Sequence, residues 1–243
     1  MNEIATTCVI AGGGPAGMMA GYLLARSGVD TIVLEKHKDF LRDFRGDTIH
    51  PSTMEVMAEL GLLEDFLKRP HQEIRYAEGE IGSTHVRMAD FTHLPTRCKF
   101  IAFMPQYDFL NFMAEKARAL PGFRLMMEAK ATHLLRDGEK IMGVEIESAG
   151  GTGAIKADLV ICAEGRHSHL RDEAGLKVKN LGAPMDALWF KLDWHEGDSN
   201  SVFGRVEGGR ALVMLYRGDY WQCAYIIPKD GFEKLKQGGL DAF

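Results

Sequence analysis

The residues best suited to chemistry lie near the start of the 243-residue chain. Gly12-Gly13-Gly14-Pro15-Ala16-Gly17 fits the pattern G-x-G-x-x-G, and Glu35 follows Gly17 by 18 residues. A glycine at 12 permits a tight turn after a strand. The glycine at 14 has no Cβ, so a phosphate can come up against the backbone, and the one at 17 lets a helix lie close on the strand. Pro15 and Ala16 fall where that helix would begin, with its unpaired N–H groups and positive dipole end turned toward an anion. A carboxylate at 35 stands where a ribose diol would be hydrogen-bonded, and its charge would repel a 2′-phosphate. The ligand chemistry is that of a dinucleotide with a free ribose, FAD or NAD rather than NADP. Lys36 follows directly and is grouped with this site.

Such a loop needs a strand before it and a helix after it, and the sequence supplies both. Ile4 to Ala11 ends apolar and β-branched and stops at glycine, as a buried parallel strand does. Pro15 to Ser27 carries small and apolar residues at helical spacing, with Gly28 as its C-cap. Thr31 to Glu35 is a second apolar strand, so the three pieces make a β-α-β unit of about 30 residues. Pro51 to Leu67 predicts a helix broken near Gly61, and residues 73–103 read as short strands and turns. Tyr107 to Leu120 is an amphipathic helix stopped by Pro121-Gly122. Phe123 to Glu147 alternates as strands around Arg136-Asp137-Gly138-Glu139, Ala157 to Ala163 is another buried strand, and Trp189 to Ile227 holds several strand-like runs. This alternation predicts an α/β protein of two discontinuous domains. A nucleotide-binding domain with a parallel sheet takes residues 1–70 and 104–180, and a β-rich layer takes 71–103 and 181–243.

Composition bounds the function. Hydrophobic residues are 46% and charged residues 26%, which excludes disordered, collagenous and coiled-coil classes. A net charge of -5 and a pI near 6.0 argue against nucleic-acid or anionic-membrane partners. The cysteines at 8, 98, 162 and 223 form no C-x-x-C pair, so neither a zinc knuckle nor a disulfide framework is expected, and no metal is assigned. Cys8 to Ala25 is an uncharged run, but Gly12, Gly13, Gly14, Gly17, Gly21 and Pro15 make it a turn feeding a helix rather than a membrane span. The residues before it include Glu3 and no Lys or Arg, so the positive region of a signal peptide is missing and a cytoplasmic location is expected.

A second motif, Asp158 to Arg171, joins a strand to Glu164-Gly165-Arg166-His167-Ser168-His169-Leu170-Arg171. Here the chain resembles the class A flavoprotein aromatic hydroxylases, the family of p-hydroxybenzoate hydroxylase. In that family a strand ends in Asp-Gly, with a Ser and an Arg at the spacing of Ser168 and Arg171; this chain has Glu164 in place of the Asp. The resemblance implies a Rossmann-like FAD-binding domain plus a β-rich substrate layer built from two insertions. It implies that Glu164 and Gly165 form part of a face shared by FAD and the reduced nicotinamide cofactor. Arg42 to Ser52 resembles the family loop whose arginine contacts the flavin nucleotide, with Arg45 the matching position. Gln106, in Pro105-Gln106-Tyr107, matches an FAD-contacting glutamine at a helix start. The implied activity is hydroxylation of a small aromatic or heteroaromatic compound by FAD, O₂ and NADH or NADPH. No residue is singled out as a catalytic base, and a homodimer is one option for assembly.

Members of that family continue with a Gly-Asp segment and a helix beneath the flavin ring. Gly46-Asp47, Gly197-Asp198 and Gly218-Asp219 each stand in the wrong context for it. The sequence therefore reads as an N-terminal portion, expected to hold FAD weakly. Two other readings stay open: a halogenase or isoprenoid-chain reductase of the same flavin fold, and a nucleotide-binding or escort module without redox chemistry. The Trp189 and Trp194 spacing lacks the W-x-W-x-I-P pattern of the halogenases. His167, His169 and Cys162 lack a metal-ligand spacing. The aromatic residues between 189 and 225 read chiefly as sheet core.

Overall fold

The computed structural model describes residues 4–41, 47–198, 202–240 and 243. Its first half runs β1 (Ile4–Ala11), α1 (Pro15–Arg26), β2 (Thr31–Leu34), β3 (Thr48–Ile49), α2 (Pro51–Glu59), α3 (Leu63–Leu67), β4 (Gln72–Ile74), β5 (Tyr76–Ile81), β6 (Thr84–Asp90), β7 (Ile101–Phe103) and α4 (Gln106–Arg118). Its second half runs β8 (Phe123–Met126), β9 (Ala129–Asp137), β10 (Lys140–Ser148), β11 (Gly151–Cys162), α5 (His169–Glu173), β12 (Met185–Asp193), β13 (Phe203–Glu207), β14 (Arg210–Tyr216), β15 (Tyr220–Pro228) and α6 (Phe232–Gln237). By their contacts the residues fall into two compact units, 1–43 with 105–179 and 44–104 with 180–243.

The first unit is built on a six-stranded sheet in the order β8-β2-β1-β11-β10-β9. The first four strands are parallel, and the last three form an antiparallel meander. β11 joins the two halves: its start pairs antiparallel with β10, and Ile155 to Cys162 pair in parallel with β1. The all-apolar end of β1 is buried because strands flank it on both sides. In α1 the buried Met18, Tyr22 and Ala25 recur at helical spacing, and α4 packs against it. Val9, Ala11, Ile32, Leu34, Val144 and Leu170 belong to one core cluster, which the meander helps to close.

The second unit holds a six-stranded sheet, β12-β15-β14-β13-β5-β6, and a three-stranded one, β3-β7-β4. The two strand-rich segments read from the sequence share the larger sheet, because β5 pairs in parallel with β13. The boundary differs at one place. Sequence puts residues 44–70 with the nucleotide-binding unit, whereas contacts place them in the second. The reason is β3, which pairs antiparallel with β7, itself paired with β4. A two-residue strand has no periodicity to announce it, and α2 and α3 taken alone look like crossover helices.

A charged contact braces this unit. Arg217, in the hairpin between β14 and β15, has Nη2 2.9 Å from Asp47 Oδ2, with side chains only 8% and 13% exposed. No hydrogen bond aligns on that nitrogen, so the contact is Coulombic. The guanidinium also lies over the Phe103 ring, and its Nε donates to Gln222 Oε1 at 2.9 Å. Removing one partner of a buried pair strands the other charge, whereas replacing both with apolar groups does not. Asp47→Ala is therefore expected to cost about 3–5 kcal/mol. Asp47→Ala with Arg217→Met should recover much of that loss, both measured by urea unfolding.

Candidate cofactor site

The site begins where β1 ends. Gly12 N donates to Leu34 O at 2.9 Å, and Ala163 N donates to Ala11 O at 2.8 Å, so the ends of three parallel strands are fixed at one level. The chain then turns sharply, with Gly12 at φ +112°. A Cβ on Gly12 would overlap the Ala163 carbonyl, and one on Gly17 would overlap the Gly12 carbonyl. Neither position can carry a side chain while α1 keeps its place. Gly14 differs: a Cβ there would meet nothing within 4 Å. Its backbone lies bare beside the start of α1, whose first turn contains Pro15 and no acidic residue. Free N–H groups at an uncrowded helix N-terminus are suited to an anionic diphosphate.

Glu35 completes this corner. It is 9% exposed. Its Oε2 accepts from Gly13 N at 3.2 Å and its Oε1 from His37 N at 3.0 Å. A Cβ on Gly13 would lie 2.8 Å from the Glu35 Cβ, so the loop is pressed against the carboxylate. The two amides orient the group, and a carboxylate is an acceptor suited to a hydroxyl donor. Lys36 is exposed next to it.

The end of β11 supplies the facing wall. An open groove of about 640 Å³ is lined by Ala16 of α1, by Val160 to Ala163, and by Gly165, Ser168, Arg171 and Leu176. Gly165 has φ +87° and open space where a Cβ would be. Glu164 does not line the groove. Its carboxylate folds back to accept from Ser168 Oγ at 2.6 Å and Leu170 N at 3.3 Å, and it lies 2.9 Å from His169 Nδ1. Ser168 Oγ in turn accepts from Arg171 N at 3.2 Å, capping α5. Burial, with Glu164 adding to it, pushes the Cys162 thiol up, so it stays protonated at neutral pH.

The structure thus gathers Gly12, Gly14, Pro15, Ala16, Gly17, Glu35, Glu164 and Gly165 around the ends of β1, β2 and β11. Gln106 opens α4 in the same unit, half-buried. Arg45 lies outside the described residues. Val160 to Ala163 and Leu176 were not singled out by sequence reasoning; the level at which a parallel strand ends beside the glycine loop is the signal that points to the first four. Two of the Gly-Asp pairs serve turns, and Gly46 of the third lies outside the described residues. Gly218-Asp219 tips the β14–β15 hairpin, and Asp198 accepts from His195 N at 3.1 Å and Trp221 Nε1 at 3.4 Å. The His195 amide, then the Trp221 indole, hold the Asp198 carboxyl below the usual range. Among the described residues no cluster of three or more His, Cys, Asp or Glu could hold a metal ion. No described helix is long and apolar enough to cross a membrane.

A parallel sheet whose central strand feeds a bare glycine loop, with a buried acid at the end of the neighbouring strand, defines a dinucleotide-binding protein. Residues 5–229 match the family model described as FAD binding domain, and the chain belongs to that family. It is 28% identical over 235 residues to 6-methylpretetramide 4-monooxygenase of Streptomyces rimosus, covering 96% of this chain and 56% of the relative. The structure of p-nitrophenol 4-monooxygenase from Pseudomonas putida superposes with a TM-score of 0.81 at 21% identity, over 100% of this chain and 63% of that one. The myxobacterial chondrochloren halogenase matches with a TM-score of 0.79 at 16% identity, over 98% of this chain and 56% of that one. At these identities the structures show a shared fold. The chain spans about half the length of the curated relatives it matches.

The contrast among the glycines can be tested directly. Gly14→Ala should leave the stability of the unliganded chain within about 0.5 kcal/mol, as for a substitution into open space. It should still weaken FAD binding measured by flavin fluorescence, because the methyl group occupies ground the phosphates need. Gly17→Ala should destabilise the chain itself by about 1–3 kcal/mol, the range for overpacking, read by urea unfolding.

Proposed function

We propose that this chain holds FAD for a flavin-dependent monooxygenase that uses NAD(P)H and O₂ to hydroxylate a small aromatic or heteroaromatic compound. The observation that carries the reading is the bare Gly14 backbone at the start of α1 beside the anchored, buried Glu35, in a chain of the FAD-binding family. Gly12, Gly14, Pro15, Ala16 and Gly17 receive the diphosphate, and Glu35, with Lys36 beside it, receives the adenosine ribose. Arg45 and Gln106 contact the flavin nucleotide, and the Glu164–Gly165 turn lines the face shared with the nicotinamide cofactor. Flavin, when bound, would supply the redox chemistry that links NAD(P)H to O₂. The protein's own tasks are to fix the nucleotide by backbone N–H groups and one carboxylate, and to keep water from the reacting ring.

The first unit is the FAD-binding domain, and the β-rich second unit is the substrate layer. Its larger sheet brings strands from both insertions side by side. The name of the Streptomyces rimosus relative, a 4-monooxygenase, supports oxygen transfer. A halogenase of the same fold is the second reading, favoured by one structural likeness, but Trp189 and Trp194 lack the halogenase tryptophan spacing.

The experiment is to purify the protein, titrate FAD, and follow NADH and NADPH oxidation with a panel of phenols and hydroxylated heteroaromatics under ¹⁸O₂. Saturable flavin uptake, weak as the sequence reading expects, is the expected result, and one labelled oxygen atom in a product would establish monooxygenation. A protein that takes up no flavin would overturn the reading. In the same titration Glu35→Ala should weaken FAD by about 1.5–3 kcal/mol, the range for a hydrogen bond to a charged group.

A further inference from the structure

Glu164 stands where the hydroxylase pattern has aspartate, and its contacts reveal what the extra methylene does. One oxygen, Oε2, accepts from Ser168 Oγ and Leu170 N, while the other, Oε1, lies 2.9 Å from His169 Nδ1. The opposite nitrogen of that imidazole, Nε2, lies 2.9 Å from the carbonyl oxygen of Thr132 on β9. A carbonyl oxygen can only accept, so Nε2 carries a proton and donates. Nδ1 faces the Glu164 carboxylate at ion-pair distance. His169 is therefore a strut between β9 and the turn after β11, through two contacts of hydrogen-bonding length.

This turn is a wall of the groove. Gly165 presents bare backbone, and Gly165 and Ser168 both line the space. Ser168 N donates to Gly165 O at 3.2 Å, and the Arg171 guanidinium donates through Nη1 to Arg166 O at 3.2 Å, so the turn is closed by one backbone bond and by a side chain of α5. What ties it to the sheet through side chains is the Glu164 carboxylate and the ring beyond it. A carboxylate one methylene shorter has less reach toward Ser168 on one side and His169 on the other. Other ties to β9 start from the far end of α5 rather than from the turn: Leu134 N donates to Glu173 Oε1 at 3.2 Å and Arg136 Nη2 to Glu173 O at 3.0 Å, while Arg171 is turned to Asp172 Oδ1 at 2.8 Å.

We propose that His169 is a positioning residue for the flavin nucleotide: it and Glu164 form a matched pair that holds the Glu164–Ser168 turn in the shape that receives FAD, and glutamate serves at 164 because histidine stands at 169. The proposal rests on the reading of this groove as part of the FAD site. The His169 side chain is 43% exposed, so its removal leaves no large cavity and the variants fold.

The test measures FAD affinity by flavin fluorescence, and stability of the unliganded protein by urea unfolding, for wild type, His169→Ala, His169→Gln, Glu164→Asp and the Glu164→Asp/His169→Ala double variant. His169→Ala should weaken FAD about tenfold, as for one lost contact with a charged partner. His169→Gln, which keeps a donor toward Glu164, should restore affinity to within about threefold of wild type. Glu164→Asp should weaken FAD about tenfold alone and add nothing once His169 is gone, the signature of two residues acting as one unit. Additive losses, or a loss of stability with FAD affinity unchanged, would overturn the proposal. Wild type that fails to bind FAD would sink the cofactor reading itself; wild type that binds FAD no better than His169→Ala would sink the strut alone.

Discussion

The Gly12 carbonyl oxygen occupies the place where any side chain at residue 17 would have to go. That close approach of a strand-end carbonyl to a helix is the constraint on which the first unit depends. It lets α1 start right after the turn, and it sets α1 low on the sheet. It also leaves Gly14 as the position in the loop whose backbone is both near the helix N-terminus and free of neighbours. The same geometry that forbids two side chains therefore creates the site. Packing excludes atoms at 12 and 17, and a ligand must be able to occupy the ground beside 14.

The rest of the corner follows from strands ending at one level. Once β1 is flanked by β2 and β11, residues 35 and 163–165 arrive beside the loop without any long-range search of their own. Glu35 shows how little more is needed. Two amides, from Gly13 and His37, hold its carboxylate, so its charge is solvated by the backbone before any ligand arrives. A buried acid oriented this way has little further freedom to lose.

How much of this could be read from the residues varied with the range of the interactions. The β-α-β unit, the amphipathic α4 and the hairpin of β9 and β10 are encoded locally, through period, glycine placement and turn residues, and the structure has all of them. The separation into a parallel-sheet unit and a strand-rich unit was also legible, because helical and strand-only stretches alternate. What escaped was settled by pairing across the chain. Residues 44–70 follow β3 into the second unit through two backbone partners more than fifty residues away. The buried Arg217 joins Asp47 and Phe103, and no local pattern in a hairpin turn announces such a contact. Among site residues, the glycine loop and Glu35 were legible because their spacing is fixed by one supersecondary unit. The inward turn of the Glu164 carboxylate was not, since it depends on a histidine five residues on and on a carbonyl of β9.

That last case bears on what a motif match means. Aspartate and glutamate carry the same charge, and a pattern that accepts either treats them as equivalent. In a turn only a few residues long they differ in reach by one methylene, and here the longer side chain closes on Ser168 and Leu170 of its own turn. Here Ser168 is 3% exposed and its hydroxyl needs a partner, while the Leu170 amide at the start of α5 needs another. Glu164 satisfies both, and the residue that meets the ligand groove in its place is Gly165, through bare backbone. The family position keeps its charge but changes its means. The Glu164 carboxylate is engaged inside its own turn, and the groove meets bare backbone at Gly165.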